Sequence, residues 1–298
     1  MHIRRTATLI SVLSSLSVVL LTGCASVQEE TASKRQNPQE TIVKIEKKYD
    51  SAIGVSLRDE SGKVLLEWRS RERFPMTSTV KALACARVYE LGLENQSAPI
   101  GTVKPVTHSP VYGSAKPSMP LSLKQACRAA LSTSDNRAAN FVFKLTGGPK
   151  ALTAWLREKD DTTTRIDRIE PDLNLSGKND YRDTTTPSNA TLNWQRLDTQ
   201  LPTQAHNQWL ADLAANQVAA HLFRANLPQG WILYDRTGAG SDDFSATRAI
   251  HAILVNPKGQ RYYAALHIKA APGTSLEQRD HVLKQVIHII YNTIDIVS

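Results

Sequence analysis

The sequence predicts an α/β (α+β) fold: an antiparallel sheet flanked by terminal helices, with an all-helical lobe inserted between two groups of strands. Three observations predict it. Two strand-like segments, "AIGVSLR" and "KVLLEWR", lie near residues 52–69, and three more, "GWILYDRTG", "TRAIHAILVN" and "QRYYAALHIKA", follow only at 230–270. The long stretch between them reads as helices joined by loops. An amphipathic helix stands at each end of this array. The simplest packing joins both strand groups into one sheet covered by the terminal helices. The helix cluster then forms a second lobe, and the cleft between the lobes is where a small ligand would bind.

Taken in order, residues 1–23 read as a signal peptide: Arg4 and Arg5, an apolar run from Ile10 to Leu21, then small residues. Its end, Leu21-Thr22-Gly23-Cys24, resembles a bacterial lipobox, which implies cleavage before Cys24 and a lipid on its thiol; the other reading is ordinary cleavage after Ala25. Residues 24–38 are polar and read as a tether holding the domain off a membrane. "PQETIVKIEKKYDS" places Ile42, Ile45 and Tyr49 on one helical face. The two strands around "DESG" read as a hairpin. From Thr77 to Leu91 the pattern is helical, with Gly92 as its stop. Residues 94–120 carry five prolines and read as loop. Helices follow at about 121–131, 135–145, 148–158, 188–198 and 203–214. Between the third and fourth lies a long polar segment without periodicity, the kind of loop that is usually functional. The last helix begins with a capping box, Thr274-x-x-Glu277, and buries Leu283, Val286, Ile287 and Ile290. The expected organisation is an α/β lobe of residues 39–69 plus 217–298 and a helical lobe of residues 70–216.

Composition narrows the function. With 298 residues, 41% hydrophobic and 21% charged, the chain has the makings of a sizeable core, and disorder or repeats are excluded for most of it. The formal charge of +8 comes from scattered Lys and Arg, with no basic run interleaved with aromatics, so no nucleic-acid partner is expected. The eight histidines form no close pair, so neither a metal nor another cofactor is expected. Two cysteines, Cys85 and Cys127, remain after export; in an oxidising compartment they are either a disulfide or two buried thiols.

The chemistry starts at "FPMTSTVKALACA", where Ser78 and Lys81 share one helical face. A serine needs a base to act as a nucleophile, and a desolvated lysine can be one. Alone the pattern is weak, since about one S-x-x-K arises by chance in a chain this long. Two further patterns change that: Ser134-Asp135-Asn136 in "STSDNRAAN", at a helix start, and Arg236-Thr237-Gly238 in "YDRTGAG", at a strand end. In this order the three sets mark class A β-lactamases and penicillin-binding proteins. From about residue 40 to its end the chain resembles a class A serine β-lactamase. "RIDRIEPDLN" is similar to that family's Ω-loop, here about 165–183, with Glu170 and Asn174 at its carboxylate and amide positions.

The resemblance implies the roles. Ser78 is acylated by the lactam carbonyl. Lys81 and Glu170 are the candidate acylation bases, and Glu170, acting through a water that Asn174 helps to hold, is the deacylation base. Ser134 passes a proton to the leaving nitrogen, and Asn136 bonds the substrate's side-chain amide. The backbone N–H groups of Ser78 and Ala239 form the oxyanion hole. Arg236, Thr237 and Arg248 bind the substrate carboxylate, and Gly238 belongs to the same substrate-binding set. Arg168 and Asp183 form an ion pair clamping the Ω-loop. His108 stands where the family has an aromatic at the cleft mouth, either stacking on substrate or simply exposed. Cys85 and Cys127 occupy the positions of a disulfide that some members carry.

The departures are informative. Arg236 replaces the usual lysine, a trait of the carbenicillin-hydrolysing subgroup, which implies activity on penicillins including carboxypenicillins; its planar fork suits a carboxylate. "SDDFSA" lengthens the chain between Arg236 and Arg248. The expected protein is a monomeric, periplasmic, lipid-anchored enzyme that confers antibiotic resistance. Two alternatives share the nucleophile machinery: a penicillin-binding D,D-peptidase and a non-hydrolysing β-lactam sensor. Glu170 with Asn174 argues against both.

Overall fold

Helix α1 (Pro38–Tyr49) opens the computed structural model, which describes residues 37–297. Proline fits its first turn, where the missing N–H has no intrahelical partner to lose. Ile42 and Ile45 are buried against the sheet that follows. Strands β1 (Ser51–Asp59) and β2 (Val64–Trp68) form the expected hairpin. Asp59 organises its turn by accepting from the N–H groups of Ser61 and Lys63, and Gly62 supplies a positive φ of 86°. A two-residue strand, β3 (Phe74–Pro75), then leads into helix α2 (Val80–Glu90) through a 3₁₀ turn at Thr77–Thr79.

The next segment is mostly loop, closed at its ends by the paired β4 (Ser97–Pro99) and β5 (Pro120–Ser122). Helices α3 (Leu123–Ser132), α4 (Asn136–Leu145) and α5 (Gly148–Glu158) follow. Beyond the polar segment, β6 (Thr184–Thr185) pairs with β3, and helices α6 (Pro187–Gln200) and α7 (Thr203–Ala214) complete the helical cluster. Strands β7 (Ile232–Ser241), β8 (Ala246–Val255) and β9 (Arg261–Ala270) and helix α8 (Leu276–Val297) finish the chain. The sheet has the order β2-β1-β9-β8-β7, with every pair antiparallel, so both strand groups join in one sheet as the sequence predicts.

The burial of β8 explains why its sequence is almost continuously apolar. Ile250, Ala252 and Leu254 face α1 and α8, while Ile253 and Val255 face the helical cluster around Trp194 and Trp209. Period-two alternation with both faces covered gives a run from Ala249 to Val255 that only His251 interrupts. Cys85 on α2 and Cys127 on α3 are joined as a disulfide across 42 residues of sequence. Closing a loop of that length removes about 4 kcal/mol of unfolded-chain freedom on entropic grounds.

One boundary differs from expectation. The capping box of α8 is Ser275 with Gln278, not Thr274 with Glu277. Gln278 N donates to Ser275 Oγ at 3.1 Å and Ser275 N to Gln278 Oε1 at 2.9 Å, while the Thr274 hydroxyl bonds the Ala271 carbonyl. "TSLEQ" contains the pattern in two overlapping registers, and a helix starting at Leu276 selects the second. Cys24 and the expected leader and tether, up to residue 36, lie outside the described residues.

Candidate active site

Ser78 sits in the 3₁₀ turn that starts α2, and the backbone there is strained. Thr77 adopts φ 49°, in the left-handed region that a β-branched residue rarely enters. The edge strand β7 presses on this turn: a Cβ at Gly238 would fall 2.0 Å from Thr77 Oγ1 and 2.7 Å from Ser78 N. Glycine at 238 is therefore required by close approach, and it brings the backbone of Gly238 and Ala239 beside the Ser78 N–H.

Around Ser78 Oγ the structure gathers residues far apart in sequence. Ser78 Oγ donates to Glu170 Oε1 at 3.3 Å and accepts from Ser134 Oγ at 3.2 Å. Lys81 Nζ lies 2.9 Å from Glu170 Oε1 and donates to Asn136 Oδ1 at 2.6 Å, to the Ser134 carbonyl at 2.9 Å and to Ser134 Oγ at 3.2 Å. All of these side chains are buried. The helical spacing suggests Lys81 bonding directly to Ser78; its ammonium instead bonds Ser134, Asn136 and Glu170, and the hydroxyl's own acceptor is the carboxylate. Burial, the largest cause, pushes Lys81 down to about 8; Arg236 nearby adds to the shift and Glu170 opposes it.

Glu170 is held from three sides. Asn140 accepts from the Glu170 N–H at 2.9 Å and donates to its carbonyl at 2.8 Å, and Asn174 Nδ2 donates to Glu170 Oε2 at 2.5 Å. Sequence reasoning missed Asn140. The available signal was its place one helical turn after Asn136, on the same face of α4. Arg168 Nε meets Asp183 Oδ2 at 2.5 Å, the ion pair expected at the ends of the Ω-loop, and also reaches Asp180 and the Leu175 carbonyl. Asp135 caps α4 through Ala138 N and also accepts from the N–H groups of Val111 and Tyr112. That fixes the proline-rich loop over the site. Asn136 N donates to the His108 carbonyl and Asn136 Nδ2 to the Thr107 carbonyl. The His108 side chain itself is exposed, at φ 55°.

The opposite wall is cationic. Arg236 is fully buried, yet none of its three guanidinium nitrogens has a hydrogen-bond partner among the described residues, and neither does Thr237 Oγ1. Burial pushes Arg236 down to about 10, with Asp235 and Glu170 opposing, so it stays charged at neutral pH. A buried unpartnered cation beside a free hydroxyl is a costly arrangement that an anionic ligand relieves. Arg248, on β8 opposite Ala239, is more fully engaged: Nε bonds Asp280 at 2.6 Å and Nη1 the Gly238 carbonyl at 3.1 Å. Among the described residues, no cluster of three or more His, Cys, Asp or Glu side chains could hold a metal ion.

The site thus offers a hydroxyl flanked by a carboxylate and a second hydroxyl, a buried ammonium linking the latter two, and a cationic wall. The model of the "Beta-lactamase enzyme family" matches residues 37–294. Beta-lactamase PSE-4 of Pseudomonas aeruginosa is 35% identical over 90% of this chain and 93% of its own. Beta-lactamase CARB-4 of the same organism is 33% identical over 85% and 89%. Among solved structures, the chromosome-encoded β-lactamase of Vibrio parahaemolyticus superposes with a TM-score of 0.81 at 34% identity, covering 86% of this chain and 98% of that one.

Proposed function

The chain belongs to the class A β-lactamases, and from that premise we propose that Ser78, Lys81, Ser134 and Glu170 carry out its hydrolysis of β-lactam amides. It is a hydrolase of the resistance type; the residue roles, the preferred substrates and the location are our reading. Ser78 Oγ attacks the lactam carbonyl as its proton passes to Glu170, either directly or through a water. The oxyanion is met by the N–H groups of Ser78 and Ala239. As the C–N bond breaks, Ser134 gives its proton to the nitrogen and recovers one from Lys81. Glu170 returns its proton to Lys81, 2.9 Å away; ionised again and held by Asn174, it draws a proton from water, which attacks the ester, and that proton passes to Ser78 Oγ as the serine is freed. The observation that carries this reading is the direct contact of Ser78 Oγ with Glu170 Oε1 at 3.3 Å. A D,D-peptidase or a sensor that stays acylated has no use for that carboxylate.

Arg236 and Thr237 take the substrate carboxylate, with Arg248 reinforcing the positive wall from behind. The Arg236 fork supports a preference for penicillins, including carboxypenicillins. Hydrolysis of benzylpenicillin, carbenicillin, a cephalosporin and a carbapenem tests this together: the two penicillins are expected to be turned over fastest. Acylation without turnover would support the peptidase or sensor instead.

The state of Lys81 sets a pH dependence. Four oxygens lie within 3.2 Å of its nitrogen, a surrounding that the three N–H groups of an ammonium serve better than the two of a neutral amine. Below about 8 the proton is present; above, it is lost. For benzylpenicillin, kcat/KM is expected to fall as pH rises through about 8, approaching tenfold per unit. A rise over that range would instead make neutral Lys81 the acylation base.

We also propose that the chain acts as a monomer in the periplasm, lipid-anchored through Cys24. One chain supplies every site residue named above, and the Cys85–Cys127 disulfide suits an oxidising compartment. Cys24→Ala is expected to move the protein from the membrane to the soluble fraction; unchanged membrane association would remove the anchor.

A further inference from the structure

The lengthened turn between β7 and β8 is built onto the Ω-loop. β7 and β8 remain paired to Ser241 and Ala246, leaving Asp242–Ser245 as the turn. Asp242 Oδ1 accepts from the N–H groups of Phe244 at 2.9 Å and Ser245 at 3.0 Å, which fixes the turn's shape. Its other oxygen reaches across to the Ω-loop, accepting from Ser176 N and, at 3.2 Å, from Ser176 Oγ. Ser176 Oγ also bonds Ser245 Oγ at 2.6 Å, and both serines are buried. Burial pushes the Asp242 carboxyl up, but the N–H groups of Ser176, Phe244 and Ser245 outweigh it and hold it below the ordinary value. Two residues before Ser176 stands Asn174. A Cβ on Gly240 would come within 2.3 Å of the Asn174 carbonyl, so β7 and this segment are in direct contact.

We propose that Asp242 is a positioning residue for deacylation: its carboxylate locks Ser176 to the β7–β8 turn and so holds Asn174, whose amide places the deacylating water, while Asn140 holds the Glu170 backbone independently. The Arg168–Asp183 pair fixes the ends of the Ω-loop, whereas Asp242 fixes the segment that carries the amide, four residues beyond Glu170. Neither Asp242 nor Ser176 touches the reacting atoms. Asparagine cannot replace Asp242 fully, because both carboxylate oxygens accept from N–H groups and an amide nitrogen would face one of them donor to donor.

The inference rests on the hydrolase reading, and its test separates the two. The full chain and its Asp242→Asn variant are mixed with benzylpenicillin, and the mass of the intact protein is followed as substrate runs out. If the unaltered chain does not turn over, the hydrolase reading fails. If it does, the variant is expected to keep kcat/KM, which reports acylation, within about twofold while its acyl-enzyme decays about tenfold more slowly or worse. Equal losses in kcat and kcat/KM, with no adduct building up, would overturn the inference, because that is the signature of a smaller folded fraction. Unchanged decay of the adduct would overturn it too. Should Asp242→Asn fail to fold, Ser245→Ala removes only the hydroxyl contact to Ser176; the same split, smaller, is expected, and its absence counts against the proposal.

Discussion

Ser78→Ala is expected to lower benzylpenicillin turnover by roughly 10⁵-fold or more while leaving a folded protein that still binds the substrate. The hydroxyl is the one group placed to form the acyl bond. Its neighbours cannot take over: Ser134 Oγ is bonded to the Lys81 ammonium, and Glu170 is held at its backbone by Asn140 and at its carboxylate by Asn174. Alanine keeps the Cβ, so the contact of β7 with the strained turn at Thr77 survives. The anion-binding wall of Arg236 and Thr237 is untouched, so affinity for intact penicillin is retained. Stability is expected to stay within about 1 kcal/mol of the original, since a hydroxyl retained for chemistry contributes little to folding. Steady-state hydrolysis, equilibrium binding and thermal unfolding of the variant measure all three. Substantial remaining turnover would remove Ser78 as nucleophile, and loss of cooperative unfolding would recast it as structural.

The sheet and most helices were legible because their signals are local. The apolar run of β8, the prolines of the 94–120 loop and the spacing of Leu283, Val286, Ile287 and Ile290 each report burial through a short period. The candidate site was legible only through resemblance: each of its sets lies within one helical turn, one loop–helix junction or one strand end, and together in that order they are similar to a known family's. What it does with its neighbours was not. Lys81 bonds Ser134, Asn136 and Glu170, partners 53, 55 and 89 residues away, and their approach depends on how α2, α4 and the Ω-loop pack. Asp280 as the anchor of Arg248, and Asp242 as the anchor of Ser176, are acidic residues in unremarkable contexts; only the third dimension sets them apart. The α8 cap failed for a different reason, two overlapping patterns of equal local quality.

Glu170→Ala is expected to stop the cycle halfway, with benzylpenicillin bound covalently to Ser78 and deacylation slowed roughly 10²–10⁴-fold. The Ω-loop has reason to keep its place, because Asn140 holds the Glu170 backbone rather than its side chain, and the Arg168–Asp183 pair is untouched. The charge balance changes instead. Lys81 loses the carboxylate that raises its proton affinity, while burial and Arg236, which lower it, remain. Its pKa therefore drops further below about 8, and a larger fraction is neutral at pH 7. A neutral Lys81, one turn from Ser78, can accept the hydroxyl's proton through Ser134, so acylation survives by a second route. No such substitute exists for the water, since no other described carboxylate touches Ser78 Oγ. Intact mass after brief exposure to benzylpenicillin should therefore show the adduct, persisting after free substrate is gone. Unmodified protein with normal turnover would mean that the ester is freed by some other group. A variant that neither acylates nor turns over would remove the Lys81 route and leave Glu170 as the sole base for the first step. A persistent adduct makes the variant behave as the rival readings require of the native chain, a penicillin-binding protein that holds its ligand, and so isolates one carboxylate as the difference between binding the antibiotic and destroying it.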